Sequence, residues 1–174
     1  MTQALGPRHR QAFLPSLLDR LLDDTSSRRA ERPDAYAPQA DGMLQIVKRD
    51  LGWLLNTTNL GDELNATLHA AAASSVINYG IPELSGAYLR ALDWEAVEKR
   101  LRAAIICFEP RLIPDSLRIV PVGGSEAEMR HNKLAFEIRG LVKWSPYPLE
   151  FNVRSLFDAE TNGIAFDADT DMKN

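Results

Sequence analysis

Between residues 41 and 110, apolar side chains recur at spacings of three and four residues, the period of a helix that faces a core. The pattern predicts one helix beginning near Asp41, a second over Asp62–Asn78 and a third over Trp94–Phe108. Pro110 ends the third helix, because a proline disfavours the helical conformation in the residue before it. The positions predicted to face the core are Met43, Leu44, Val47, Leu51, Leu54 and Leu55, then Leu64, Leu68, Ala71, Ala72 and Val76, then Trp94, Val97, Leu101, Ala104, Ile105 and Phe108.

After Pro110 the apolar period changes from that of a helix to that of a strand. Strands are predicted over Leu117–Val122, over Lys133–Trp144 and from Leu149 onward, with Ile164–Phe166 as a candidate fourth. Helices followed by a meander of strands indicate an α+β fold, in which N-terminal helices pack on a small antiparallel open sheet in the C-terminal half. An open sheet has two edges, and a strand of another chain is one way to complete it.

A separate apolar stripe lies near the N-terminus, where Leu14, Leu17, Leu18 and Leu21 recur at helical spacing. A polar linker follows to about residue 40, so the predicted organisation is an N-terminal helix and linker over 1–40, an α+β domain over 41–166 and an acidic tail over 167–174. The leucine stripe has two interpretations. It folds back on the core of its own chain, or it docks on a partner.

Composition excludes several classes of protein. The net charge of -4 gives no support for a nucleic-acid partner. The first residues lack the apolar stretch of a signal peptide, and the longest low-charge run, residues 64–81, is too polar for a membrane span. With a single cysteine, Cys107, the chain can form no intrachain disulfide, and its apolar neighbours predict a buried thiol. These observations indicate a cytoplasmic protein that does not insert into a membrane.

The sequence offers little for catalysis. Glycoside hydrolysis needs two carboxylates facing each other across a cleft, and nothing assigns a second carboxylate to Glu109, the acid with the most distinctive surroundings. The three histidines are scattered without metal-ligand spacing, so neither a metal site nor a cofactor is expected. The other candidate acids are Glu63, Glu83, Glu137 and Glu150.

Glu109, Pro110 and Arg111 place an acid, a rigid ring and a guanidinium at the end of the third predicted helix. Arginine can form a forked pair with a carboxylate, and glutamate can accept hydrogen bonds from backbone or basic donors. The triplet is therefore predicted to be either an internal brace between helix and sheet or a contact with another subunit.

Five segments in order along the chain form a recognisable set: SLLDRLLDD at 16–24, VKRDLGWLLNT at 47–57, SVINYGIPELSG at 75–86, FEPRL at 108–112 and the strand pair at 136–156. Together they cover nearly the whole chain and resemble the TssE family of type VI secretion baseplate subunits. That family is similar to the baseplate wedge protein of contractile phages, and the Glu-Pro-Arg triplet is its signature.

The resemblance implies a structural subunit without enzymatic activity, on the cytoplasmic face of a membrane-anchored bacterial secretion machine. Its implied partners are TssF, TssG and TssK in the wedge and TssB and TssC in the contractile sheath, whose strands would add to this chain's sheet. Because the phage relatives carry a historical lysozyme label, a peptidoglycan-cleaving hydrolase is the alternative. The residues predicted to bind partners are Glu109, Pro110 and Arg111 at the triplet and Leu17, Leu18 and Leu21 in the leucine stripe.

Overall fold

A computed structural model describes residues 39–64, 67–84, 94–123 and 133–167 of the chain. Helices precede strands, and the four strands form one antiparallel sheet, which confirms the α+β prediction. The helices are α1 (Ala40–Leu55), α2 (Ala70–Ala73) and α3 (Trp94–Phe108), with 3-10 turns at Val76–Asn78 and Pro114–Ser116. The strands are β1 (Arg118–Pro121), β2 (Lys133–Val142), β3 (Leu149–Asp158) and β4 (Gly163–Phe166).

Helix α1 buries the apolar face that its sequence predicts. Each fully buried leucine, valine or methionine side chain contributes roughly 1.5–3 kcal/mol to stability, so this face supplies much of the energy that packs α1 on the sheet. The first turn carries Asp41, whose charge suits the positive end of the helix dipole. The buried residues of α1 are Met43, Val47, Leu51, Leu54 and Leu55.

The helix predicted over 62–78 is wrong. The described residues of that segment form only the single turn α2 and the 3-10 turn Val76–Asn78. Leu68 and Val76, both predicted to face inward, are 74% and 82% exposed. The segment therefore presents apolar side chains to solvent instead of burying them.

Polar side chains in this segment take hydrogen bonds that a continuous helix would make through its backbone. Ser75 Oγ donates to the Ala72 carbonyl at 2.9 Å, and Asn78 Nδ2 donates to the Ala73 carbonyl at 3.1 Å. Asn78 Oδ1 also accepts from the Leu60 N–H at 3.0 Å. Serine and asparagine compete in this way with helical hydrogen bonds, so the segment forms short turns fixed by the buried Asn78.

Gly80 ends this segment in a conformation that only glycine adopts readily. Its φ is 121°, and a Cβ at this position would lie 2.2 Å from the Thr57 carbonyl oxygen. The close approach lets the Ile81 N–H donate to that oxygen at 2.8 Å. The chain after α1 is thereby joined to the chain before α3.

Helix α3 follows its predicted stripe, with Val97, Leu101, Ala104 and Ile105 buried. The ring of Trp94 lies 5.9 Å from that of Phe136 in β2, so α3 packs on the sheet. The prediction of a buried Cys107 is wrong, because the thiol is exposed. Helical geometry explains the error, since residues 104, 105 and 108 face the core and the apolar run continues around to the opposite side of the helix.

The strands are ordered β1-β2-β3-β4, and each neighbouring pair is antiparallel. Ile138 of β2 lies opposite Ile119 on one side and Val153 on the other. Alternation places the large apolar residues of β2 and β3 against the helices and leaves Arg139, Glu150 and Asn152 exposed. The buried apolar residues of these two strands on the helix side are Phe136, Ile138, Val142, Phe151, Val153 and Phe157.

Candidate partner-binding site

The Glu-Pro-Arg corner connects the C-terminal end of α3 to the end of β2. The Glu109 N–H closes the helix by donating to the Ile105 carbonyl at 2.8 Å. Lys143, just beyond β2, donates through Nζ to the Pro110 carbonyl at 2.7 Å and through its N–H to the Arg111 carbonyl at 2.8 Å. Backbone and side chain together hold the corner against the sheet.

Inside the corner, Arg111 joins two acids from different parts of the chain. Its Nε donates to Glu109 Oε1 at 2.6 Å, its Nη2 donates to Glu109 Oε2, and its backbone N–H donates to Glu109 Oε1 at 3.1 Å. Arg111 Nη2 also bonds Asp50 Oδ2 of α1 at 2.6 Å. The side chain of Glu109 is 3% exposed and that of Arg111 27%. This is the geometry of an internal brace in which Arg111, not Glu109, keeps a surface that a partner could reach.

The surroundings of Arg111 favour its charged form. Burial alone lowers the pKa of Arg111, but its hydrogen bonds to Glu109 and Asp50 outweigh this effect and raise the pKa above its ordinary value. Burial, followed by the charges of Asp50 and Glu109, raises the pKa of the neighbouring Tyr79. The guanidinium therefore stays ionised, and the phenol stays neutral, throughout the physiological range.

Beside the brace is a cleft of about 210 Å³, here named the Trp53 cleft, lined by Arg49, Trp53, Tyr79, Phe108 and Arg111 among others. The guanidinium of Arg49 lies 4.6 Å from the centre of the Trp53 ring, and that ring is 46% exposed. The rings of Tyr79 and Phe108 meet edge to face at 5.3 Å. Exposed tryptophan and arginine on a rigid base are the residues that carry most energy in protein interfaces.

The sequence pattern gives no indication of a role for Arg49, Asp50 and Trp53, although they lie in segment 47–57, which contributes to the resemblance. The sequence around Asp50 does not indicate that it bonds Arg111, which is 61 residues away. The bond from Asp50 to Arg111 depends on the packing of α1 beside the end of α3.

The other predicted site residues are not brought to the corner. Leu17, Leu18 and Leu21 lie outside the described residues, so their partner-binding role stays a prediction. Glu137 pairs with Arg139 on the outer face of the sheet, and Glu150 is exposed on β3. Within the described residues, no group of three or more histidine, cysteine, aspartate or glutamate side chains could hold a metal ion.

The edge of β4 is covered by a side chain of the same protein. Asn56 accepts from the Ile164 N–H at 2.8 Å and donates to the Ile164 carbonyl at 2.9 Å. Lys48 of α1 donates to the carbonyl of Asp167 at 3.1 Å, just beyond the strand. The amide of Asn56 thus occupies the positions that a further strand would take.

The edge of β1 is short and poor in donors. Val122 N–H donates to the Ala135 carbonyl, so by antiparallel alternation the backbone groups of Ile119 and Pro121 point away from β2. Pro121 has no N–H, and the carbonyl of Leu117 already accepts from Arg102 at 2.5 Å. Prolines on edge strands oppose pairing with other chains.

Among the described residues, a third stretch of edge remains on β3. The pairing with β4 covers only Ser155–Asp158, and the Asp167 N–H reaches one residue further, to the Arg154 carbonyl. Alternation from Arg154 directs the N–H and C=O groups of Asn152 and Glu150 to the same side. Both residues are exposed. We name this stretch, residues 150–152, the β3 edge.

The family model described as baseplate wedge protein gp25 matches residues 41–147 of the chain. The chain belongs to this family. The match runs from α1 through the Glu-Pro-Arg corner to the end of β2, which confirms the resemblance drawn from the sequence and indicates a structural role in a baseplate of the phage-tail type. Neither a curated protein nor a solved structure matches the chain significantly. In the described part of this wedge-family chain, no helix is long and apolar enough to cross a membrane.

Proposed function

We propose that this wedge-family protein is a baseplate subunit of a type VI secretion machine, working at its cytoplasmic face. In this role it joins the wedge proteins TssF, TssG and TssK to the sheath proteins TssB and TssC. It starts sheath growth by accepting a sheath strand at the β3 edge. The observation that carries the proposal is a stretch of strand left unpaired by the described residues of a baseplate wedge family member, whereas Asn56 covers the β4 edge and the β1 edge is short and poor in donors.

Strand addition suits the β3 edge because its backbone groups are already aligned. Glu150 and Asn152 each offer one N–H and one C=O, which allows up to four hydrogen bonds to an incoming strand. Each such bond contributes roughly 0.5–1.5 kcal/mol net. Phe151, between them, is buried in the core and fixes the register of β3 against β2. The incoming strand would therefore meet a rigid template.

The Trp53 cleft is our proposed contact for the wedge proteins. It lies on α1 and at the end of α3, whereas the β3 edge belongs to the sheet. A subunit with two separate contact surfaces can bridge two layers of an assembly. In this arrangement Glu109 positions Arg111, and Arg111 with Trp53 makes the contact.

The hydrolase alternative finds no support in the geometry of the corner. The carboxylates of Glu109 and Asp50 both bond the same guanidinium of Arg111. A retaining or inverting glycosidase needs one carboxyl group that can donate a proton and a second that attacks or activates water. In the corner, carboxylate oxygens of both acids bond Arg111 instead, so the two acids are not arranged as such a pair.

The β3 edge is tested by Asn152→Pro. The substitution removes one N–H that points away from β2, so it leaves the β2–β3 ladder intact. Asn152→Thr is the matched control, since it changes the same side chain and keeps the N–H. With purified sheath proteins and the assembled wedge, we expect Asn152→Pro to reduce the number of sheaths started per wedge at least several-fold and Asn152→Thr to leave it near the parent value. Equal sheath initiation by all three proteins, seen by electron microscopy, would contradict the proposal.

A further inference from the structure

A second, larger groove lies between α3 and the chain from Asn59 to Pro82, with a volume of about 910 Å³. Small side chains line much of it, including Ala73 and Ala103, with Phe108 at one end. Small residues let another backbone approach closely, as a packed helix requires. Cys107 also lines the groove and is exposed.

The segments that form this groove also carry most of the large exposed apolar side chains in the described residues. On the turn after α2, Val76 is 82% and Ile77 89% exposed. The buried Asn78 and its hydrogen bonds hold that turn in place, so these side chains are presented on a fixed support. Large apolar side chains held exposed on a rigid surface are a feature of binding sites. The others on these segments are Leu60, Leu68 and Ile106.

We propose that this groove binds the leucine stripe of the same chain, residues 13–24. The stripe offers Leu14, Leu17, Leu18 and Leu21 on one face at helical spacing. An amphipathic segment of this kind fits an apolar groove by placing its leucines along it. The stripe then folds back on its own chain, which is the first of its two interpretations.

Charge complementarity supports this occupant. Lys99 and Arg100 line the groove together with a single acid, Asp62, which Arg100 bonds at 2.9 Å. The leucine stripe carries Asp19, Asp23 and Asp24 against the single cation Arg20. The acidic side chains beside the leucines would lie near these cations, so the groove would bind this acidic segment more tightly than a basic segment.

The covalent connection is long enough. Helix α1 has 16 residues and so is about 24 Å long. The groove lies near the C-terminal end of α1, so the linker must span about this distance. The linker over 25–38 has about 14 residues and can span up to roughly 46 Å when extended. Because the segment and the groove belong to one chain, binding occurs at a high effective concentration, and modest affinity suffices.

The single native cysteine gives a direct test on the full chain, because Cys107 lines the groove. Leu18→Cys places a second thiol in the leucine stripe, and a short bismaleimide then joins thiols that are close together. We expect an intramolecular cross-link at low protein concentration. Asn152→Cys on β3 is the control, with a second thiol on the opposite layer of the fold, and should give several-fold less cross-link.

A second measurement does not depend on cross-linking geometry. The rate of Cys107 alkylation by iodoacetamide is compared between the parent and Leu17→Asp/Leu21→Asp, which disrupts the stripe without altering the groove. If the stripe covers the groove in about nine of ten molecules, alkylation is about tenfold faster in the double variant. Equal alkylation rates, or cross-links formed only between two molecules, would overturn the proposal.

Discussion

Replacing Arg111 by methionine tests whether the Glu-Pro-Arg corner holds the fold together. Methionine keeps an apolar stem but removes the guanidinium, so the carboxylate of Glu109, 3% exposed, retains only the backbone N–H of residue 111 at 3.1 Å. Asp50 still has Arg49 at 2.7 Å. Removing one partner of a buried ion pair costs roughly 3–5 kcal/mol. Because the side chain of Arg111 is 27% exposed, water can partly replace it, and we expect the lower end, about 3 kcal/mol.

Urea unfolding followed by tryptophan fluorescence measures this cost. Arg139→Met is the matched control, since Arg139 pairs with Glu137 on the outer face and is 57% exposed, so its loss should change stability by less than about 1 kcal/mol. In Glu109→Gln/Arg111→Met the buried charge is also gone, and this double variant should be more stable than Arg111→Met alone. A loss of stability in Arg111→Met no larger than that in Arg139→Met, or a double variant less stable than Arg111→Met, would show that the corner does not hold the fold together.

Three further predictions concern other parts of the fold. Gly80→Ala should lower the free energy of unfolding by at least about 2 kcal/mol in the same urea assay. Gly123→Ala is the control and should change this free energy by less than about 0.5 kcal/mol, because its added Cβ would meet no heavy atom of the described residues within 4 Å. Asn56→Ala leaves two backbone groups of Ile164 unpaired, so we expect a loss of about 1–3 kcal/mol and faster hydrogen exchange at the Ile164 amide; unchanged exchange would contradict the edge-covering role. Because the folded state raises the pKa of Tyr79 above 10.0, its contribution to stability is complete below pH 10 and is lost as the pH rises through the folded pKa. Tyr79→Phe should therefore lose less stability than the parent between neutral pH and pH 11, and parallel pH profiles would rule this out.

The periodicity of the sequence determined the elements that bury a continuous apolar face. Helices α1 and α3 and strands β2 and β3 lie where the apolar spacing predicts them, because burying such a face outweighs local preferences. The helix predicted over 62–78 does not form because this segment has no comparable apolar face to bury. Its alanines bury little surface, and Ser75 and Asn78 offered the backbone other hydrogen bonds.

The sequence also determined the family, through the ordered set of segments that includes Glu109–Arg111, and with it the expectation of a structural role. Tertiary structure alone decided how these residues work. Only the packing of α1 beside α3 brings Asp50 to Arg111, and only the lengths of β3 and β4 leave the β3 edge without a partner among the described residues. The spacing of apolar residues can be seen directly in the sequence. Pairing between distant residues depends on how the elements pack, and a single sequence does not show that packing.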